Sequence, residues 1–318
     1  MSKSLELNRR QFLVQSATLA AATALPGSAL ARQTIRTRLI PGTNEALPVI
    51  SLGAPGFFYK TPPEGDGPAK ALIRAFMEMG GKMIDTPPFF RPDPPVIGSI
   101  LKEMGLTDDL FLISKIVVHG KQEGIKHAER VVANLDKRPL DMLMVHNMRD
   151  LANHWTTLKD WKERGRVRYI GASLTRPNQM MYNSFTDYDG MEAFIKAEKP
   201  DFIMAGYSAL RPEAAERALP AAADNGVAVI VAEPFRAGDD GSYFGLVAGK
   251  PLPEWASEFD CDSWAQFALK YIAGHPAVTS IVMETSKVKH IKDNMAAAYG
   301  RLPDEAMRKK MSEYLRSL

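Results

Sequence analysis

Asp85, Lys115 and His146 each stand at or just beyond the end of a short apolar run, and the three runs follow one another along the chain. A carboxylate next to an ammonium lowers the cost of burying both. A nearby imidazole can donate a hydrogen bond to a carbonyl oxygen, so the trio could polarise a carbonyl or stabilise an oxyanion. The same residues also allow a plainer reading, in which Asp85 and Lys115 form a structural ion pair while His146 and Asn147 hold loop backbone. Spacing alone leaves both open.

The elements that would bring the trio together recur along the chain. Short apolar runs at 49–52, 82–85, 110–114, 142–145, 169–172, 202–205, 227–231 and 280–283 alternate with amphipathic stretches at 68–79, 96–104, 124–135, 151–164, 213–225, 263–273 and 287–299. A last helix is expected over 304–318, after Pro303. Eight such units in roughly 250 residues predict an α/β fold of the (β/α)8 TIM barrel type. No Gly-x-Gly-x-x-Gly follows the first run, which removes the usual sign of an open dinucleotide-binding sheet. Before it, 36–40 and 47–51 flank Pro41-Gly42-Thr43-Asn44 and predict an N-terminal β-hairpin able to plug the barrel floor. The longest irregular stretches, 59–67 and 236–253, follow strands one and seven. They should therefore lie at the C-terminal mouth, where barrel enzymes keep their chemistry.

Four segments carry a specific resemblance. Gly80-Gly81-Lys82-Met83-Ile84-Asp85-Thr86-Pro87-Pro88, Phe111-Leu112-Ile113-Ser114-Lys115, Leu140-Asp141-Met142-Leu143-Met144-Val145-His146-Asn147 and Gly165-Arg166-Val167-Arg168-Tyr169-Ile170-Gly171-Ala172-Ser173 resemble, in order and spacing, signatures of the aldo/keto reductase family. With 201–207 and 285–294 the resemblance spans nearly all of 32–318. It implies an Asp, Tyr, Lys and His tetrad, in which Tyr gives a proton to a carbonyl while a nicotinamide delivers hydride. Asp85, Lys115 and His146 match three members, whereas Phe90 stands where the Tyr is due, and neither Phe89 nor Arg91 supplies a hydroxyl. General acid assistance is worth about 10²–10⁴ in rate, so another donor is required: His146, Lys115, a loop residue such as Tyr59, or water.

The resemblance also implies a cofactor, NADP(H), with NAD(H) or none as alternatives. Ser173 matches a residue that holds the nicotinamide amide, but its usual Asn neighbour is Leu174, and a Gln expected on strand six is Met204. After strand seven, where an aromatic often stacks on the nicotinamide, Glu233 stands, with Phe235 two residues on. Glu284-Thr285-Ser286-Lys287 leads into a helix start able to bind phosphate through free N–H groups. Lys287, Lys289, His290 and Lys292 add positive charge there. Asn294 matches a residue near the adenine, while Glu284 would repel a 2′-phosphate.

The first 31 residues read as an address. Asn8-Arg9-Arg10-Gln11-Phe12-Leu13 precedes an apolar run, 14–25, that closes with Ala29-Leu30-Ala31. The pattern resembles a twin-arginine signal, cleaved after Ala31, that hands the folded protein to the twin-arginine export machinery for a periplasmic destination. The run is too short for a membrane span of about 20 residues. Of the formal charge of +3, Lys3, Arg9 and Arg10 against Glu6 supply two units, which leaves a nearly neutral mature chain without the basic field that nucleic acid requires. Cys261 is the single cysteine, and no His-x-His or His-Glu-x-x-His occurs, so neither an internal disulfide nor a metal site is expected.

The function these features predict is an exported oxidoreductase acting on a small carbonyl or hydroxyl compound, for example a sugar or ring carbonyl. The alternatives are a barrel without reductase chemistry serving as a periplasmic binding or accessory protein, and a cofactor-free lyase or isomerase with Lys115 or His146 as base. The loops 59–67, 177–189 and 236–253, with Tyr182, Tyr188, Tyr243, Phe244 and Trp255, suggest a partly aromatic cleft.

Overall fold

The computed structural model describes residues 34–88, 94–175, 187–237 and 241–318. Residues 1–31, read above as an export signal, and Phe90 lie outside the described residues. Eight strands close into a barrel, in chain order Ile50–Leu52, Met83–Asp85, Phe111–Ile116, Leu140–Val145, Val167–Leu174, Phe202–Gly206, Ala228–Ala232 and Val278–Met283. Every neighbouring pair is parallel, and the eighth strand pairs with both the seventh and the first. Most strand residues are buried on both faces, which is why these segments read as continuous apolar runs.

Side chains alternate between two cores. Outward residues such as Ile84, Leu112, Leu143 and Ile203 pack under the helices. Inward residues, among them Met83, Phe111, Ile113, Met142, Met144, Phe202, Met204, Ile230 and Val282, fill the barrel. Ile40 and Leu47, from the hairpin that pairs Thr37–Leu39 with Ala46–Pro48, belong to the inward set and close the floor, as the sequence predicts. Asp141 stitches strands at that end: Oδ2 accepts the Leu112 N–H at 2.8 Å and Oδ1 accepts from Arg168 at 2.7 Å.

Four details differ from the sequence reading. Strand three runs on to Ile116, so Lys115 lies within it rather than beyond it. The helix expected over 213–225 is broken into Glu213–Glu216 and Ala218–Asn225, because Pro220 has no N–H to offer the carbonyl of Glu216. A helix at Tyr188–Glu198, capped by Asp187 accepting the Gly190 N–H at 2.8 Å, begins inside the stretch read as a mouth loop. Pro303 precedes the cap of the last helix, Glu305–Ser317, whose Asp304 accepts the Met307 N–H at 2.8 Å.

Strands five and six approach so closely that only glycine fits at position 171, where an added Cβ would lie 2.2 Å from the Phe202 carbonyl oxygen. Backbone cannot yield as a side chain can. Gly171→Ala should therefore cost about 3 kcal/mol of unfolding free energy, measured by urea denaturation; a variant as stable as the parent contradicts this packing.

Candidate active site

The inward alternation that fills the barrel delivers a polar ring at its mouth. Two residues beyond the inward Met83, Ile113, Met144 and Val282 come Asp85, Lys115, His146 and Glu284. All four line one cavity of about 440 Å³, together with Tyr59, Thr86, Thr175, Met204, Glu233, Phe235 and Arg236. That size suits a small-molecule site. The Lys115 ammonium donates to Asp85 Oδ1, and Lys115 is 5% exposed. Burial raises the Asp85 carboxyl above its ordinary range, and the Lys115 charge and hydrogen bond pull it back part of the way.

His146 is the first residue past strand four and opens a turn in which Asn147 and Met148 both take left-handed backbone. Asn147 holds the turn against strand five: its N–H donates to Ser173 Oγ at 2.8 Å, and its Oδ1 accepts the Thr175 N–H at 3.1 Å. That contact orients the amide, turning Nδ2 toward His146 Nε2 at 3.3 Å. Which ring nitrogen carries the single proton of the neutral imidazole depends on the tautomer. Burial first, then Lys115 and Arg149, push the His146 pKa down to about 3, so the ring is neutral near pH 7 and can donate a hydrogen bond to a carbonyl oxygen.

Glu233 has left-handed backbone and is gripped by Arg211 at 3.0 Å and Arg236 at 3.5 Å. Arg211, buried, also donates to the Thr175 carbonyl at 3.3 Å. This explains how a carboxylate is accommodated on a largely apolar wall of Met204, Ala232, Pro234 and Val282. Arg211 escapes a reading of the sequence because nothing in Ser208-Ala209-Leu210-Arg211-Pro212 marks it as buried; only its partner, Glu233, stands out.

The residues proposed for cofactor binding divide. Phe235 is on the cavity wall, and Ser286 and Lys287 are exposed at the start of the Val288–Ala296 helix, which has no side-chain cap. Ser173 is fully buried behind the Asn147 turn, and Asn294 is buried with its Nδ2 at 3.3 Å from Met283 Sδ. Of the aromatics expected at the cleft, Tyr188 and Tyr243 are buried and bonded to the Gly206 and Trp264 carbonyls at 2.8 and 2.9 Å, while Trp255 packs on Phe259, Phe267 and Tyr314. Tyr182 lies outside the described residues. The aromatic lip is instead Tyr59 and Phe235, with exposed Phe244 at 4.9 Å from Phe235. Cys261 is buried, its thiol pushed up to about 12 by that burial. Among the described residues no cluster of three or more His, Cys, Asp or Glu could hold a metal, and no helix is long and apolar enough to cross a membrane.

The family model described as "Aldo/keto reductase family" matches residues 49–312. The chain belongs to the aldo/keto reductase family. Membership places it among oxidoreductases that work on small molecules. Solved structures agree in fold. A Bacillus halodurans aldo-keto reductase in its holo form is 20% identical, covers 89% of this chain and 96% of its own, and has a TM-score of 0.66. An aldo/keto reductase from Brucella melitensis is 17% identical over 88% of this chain and 99% of its own, also with a TM-score of 0.66. No curated protein matches.

The buried imidazole gives a pH signature. Unfolded, His146 binds a proton near its ordinary 6.5; folded, it refuses one until about 3. The unfolded state therefore holds more protons across that window, and stability falls as pH drops through it. His146→Gln should make this acid loss shallower in denaturation curves taken from pH 7 to pH 3. Part of the slope should remain for His275, lowered to about 4 by burial, Arg308 and Arg38. An unchanged slope would show that His146 is not buried as a neutral ring.

Proposed function

We propose that this protein is an exported aldo/keto-reductase-type enzyme that interconverts a carbonyl and a hydroxyl on a small molecule with NADP(H). The observation that carries the reading is the convergence of Asp85, Lys115 and His146 on one cavity from three adjacent strands. The residues fit a nicotinamide nucleotide in two places. The uncapped helix start at Lys287 offers open N–H groups to phosphate, with Ser286, Lys287, Lys289 and Lys292 exposed around it. The wall of Met204, Ala232, Pro234 and Phe235 offers apolar surface to a flat ring. At the carboxamide the fit fails, since Ser173 is fully buried behind the Asn147 turn and Leu174 and Met204 provide no strong partner. This favours the second reading, a barrel retained for binding, over any reductase holding its cofactor by the usual side chains.

When bound, the nicotinamide supplies or takes a hydride. The chain's own residues do the rest. The Asp85–Lys115 pair keeps a positive charge beside the carbonyl oxygen without presenting a bare cation, and neutral His146 donates a hydrogen bond to that oxygen. Both interactions strengthen as the oxygen gains charge, so they lower the barrier more than they tighten binding. Fluorescence titration should reveal NADPH binding, with NADH weaker. Lys115→Met should lower kcat for carbonyl reduction about 10²–10³-fold and leave NADPH binding nearly unchanged. Lys287→Ala should weaken NADPH about tenfold, or roughly 1.4 kcal/mol, and NADH much less. Absence of binding by either cofactor would exclude the reductase reading.

Export rests on the Arg9-Arg10 pair, the apolar run and Ala29-Leu30-Ala31. Replacing both arginines by lysine should trap the full-length chain in the cytoplasm, whereas the parent should be recovered from the periplasm with Arg32 as its first residue. A periplasmic arginine-less variant would contradict a twin-arginine route.

A further inference from the structure

A reductase site with Phe90 in place of the tyrosine needs another acid, and the mouth contains one that has no tetrad role. Register sets its position. Met283 pairs with Leu52, and Leu52 with Ile84, so the next residues along, Glu284, Gly53 and Asp85, stand side by side on strands eight, one and two. Gly53 has no side chain to stand between the two carboxyls; a Cβ there would lie 3.5 Å from Glu284 Cβ and 3.1 Å from Val282 Cγ1. Glu284 and Asp85 therefore share one cavity across a glycine gap, with Lys115 and His146 next around the ring.

We propose that Glu284, which enters the shared cavity at the end of strand eight, delivers the proton to the carbonyl oxygen. This rests on the reduction reading above. As hydride reaches the carbonyl carbon, the C=O π pair moves to oxygen and forms an O–H bond with the Glu284 proton, while the carboxyl O–H bond breaks. The carboxylate left behind recovers a proton from water, to which the Glu284 side chain is exposed.

The surroundings favour the acid form. Although the side chain as a whole is exposed, desolvation at its carboxyl raises the Glu284 pKa, and the Asp85 charge raises it further. Among the described residues, the other ionisable groups facing the cavity are Lys115 from strand three, His146 beyond strand four, Glu233 and Arg236 beyond strand seven, and Tyr59 beyond strand one. Lys115 is bonded to Asp85, Glu233 is paired with Arg211 and Arg236, and His146 is neutral. Lys287, three residues on, is exposed at the helix start. A neutral Glu284 also removes the repulsion that a carboxylate would direct at a phosphate beside that helix. Tyr59 is the rival donor.

The test has two parts. In the cofactor-free protein, infrared difference spectra between the parent and Glu284→Gln, taken across a pH titration, should show one protonated carboxyl persisting above the ordinary glutamate range. With NADPH and a reporter aldehyde, Glu284→Gln should lower kcat about 10²-fold, remove the alkaline limb of the kcat profile and leave the NADPH Kd unchanged. A Glu284 that ionises in the ordinary range overturns the inference, and so does a loss of turnover carried by Tyr59→Phe in place of Glu284→Gln. Intact NADPH binding with unchanged Glu284→Gln turnover overturns the donor role alone. A parent that binds neither nicotinamide overturns the reduction reading and the donor role together.

Discussion

The ion pair between Asp85 and Lys115 is the constraint around which the mouth of this barrel is organised. Two charges at the end of an apolar core would each carry a large desolvation penalty alone, and each makes the other tolerable. Their pairing fixes strand two against strand three at the level where chemistry would occur. It also acts on the neighbours, since the Lys115 charge helps keep His146 neutral and the Asp85 charge raises the Glu284 pKa. One pair thus supplies positive potential beside a neutral imidazole and a carboxyl of raised pKa within a single cavity.

The fold was legible because parallel strands buried on both faces leave uninterrupted apolar runs, and helices that cover them leave amphipathic ones. All eight strands coincide with such runs to within a few residues. Where the reading failed, a local feature competed with the pattern. Pro220 split a helix whose periodicity continues across the break, and the Tyr188–Glu198 helix was hidden by the polar residues at its start. Lys115 looked like a residue after a strand because a charge ends an apolar run, although the strand continues through Ile116.

The site was legible in part for a similar reason. Asp85, Lys115 and His146 stand out because ionisable residues at the ends of apolar runs are unusual, and the topology places those ends together. Residues that face inward by alternation but sit behind another element do not announce it. Ser173 occupies an inward position and yet is sealed by the Asn147 turn, whose left-handed backbone no pattern of side chains foretells. The Arg211–Glu233 pair is hidden for the complementary reason: it joins segments 22 residues apart, and neither residue alone indicates the other.

On the proposed reading the barrel supplies the electrostatic part of a carbonyl-reducing site through Asp85, Lys115 and His146, and takes its proton from Glu284. The decisive measurement is transfer of label: the protein incubated with dihydronicotinamide deuterated at C4 and a reporter aldehyde, with the alcohol product read by mass spectrometry. The account predicts deuterium on the carbinol carbon of the product, in proportion to nicotinamide oxidised. Alcohol formed without label, or oxidation of the nicotinamide without alcohol, would contradict it.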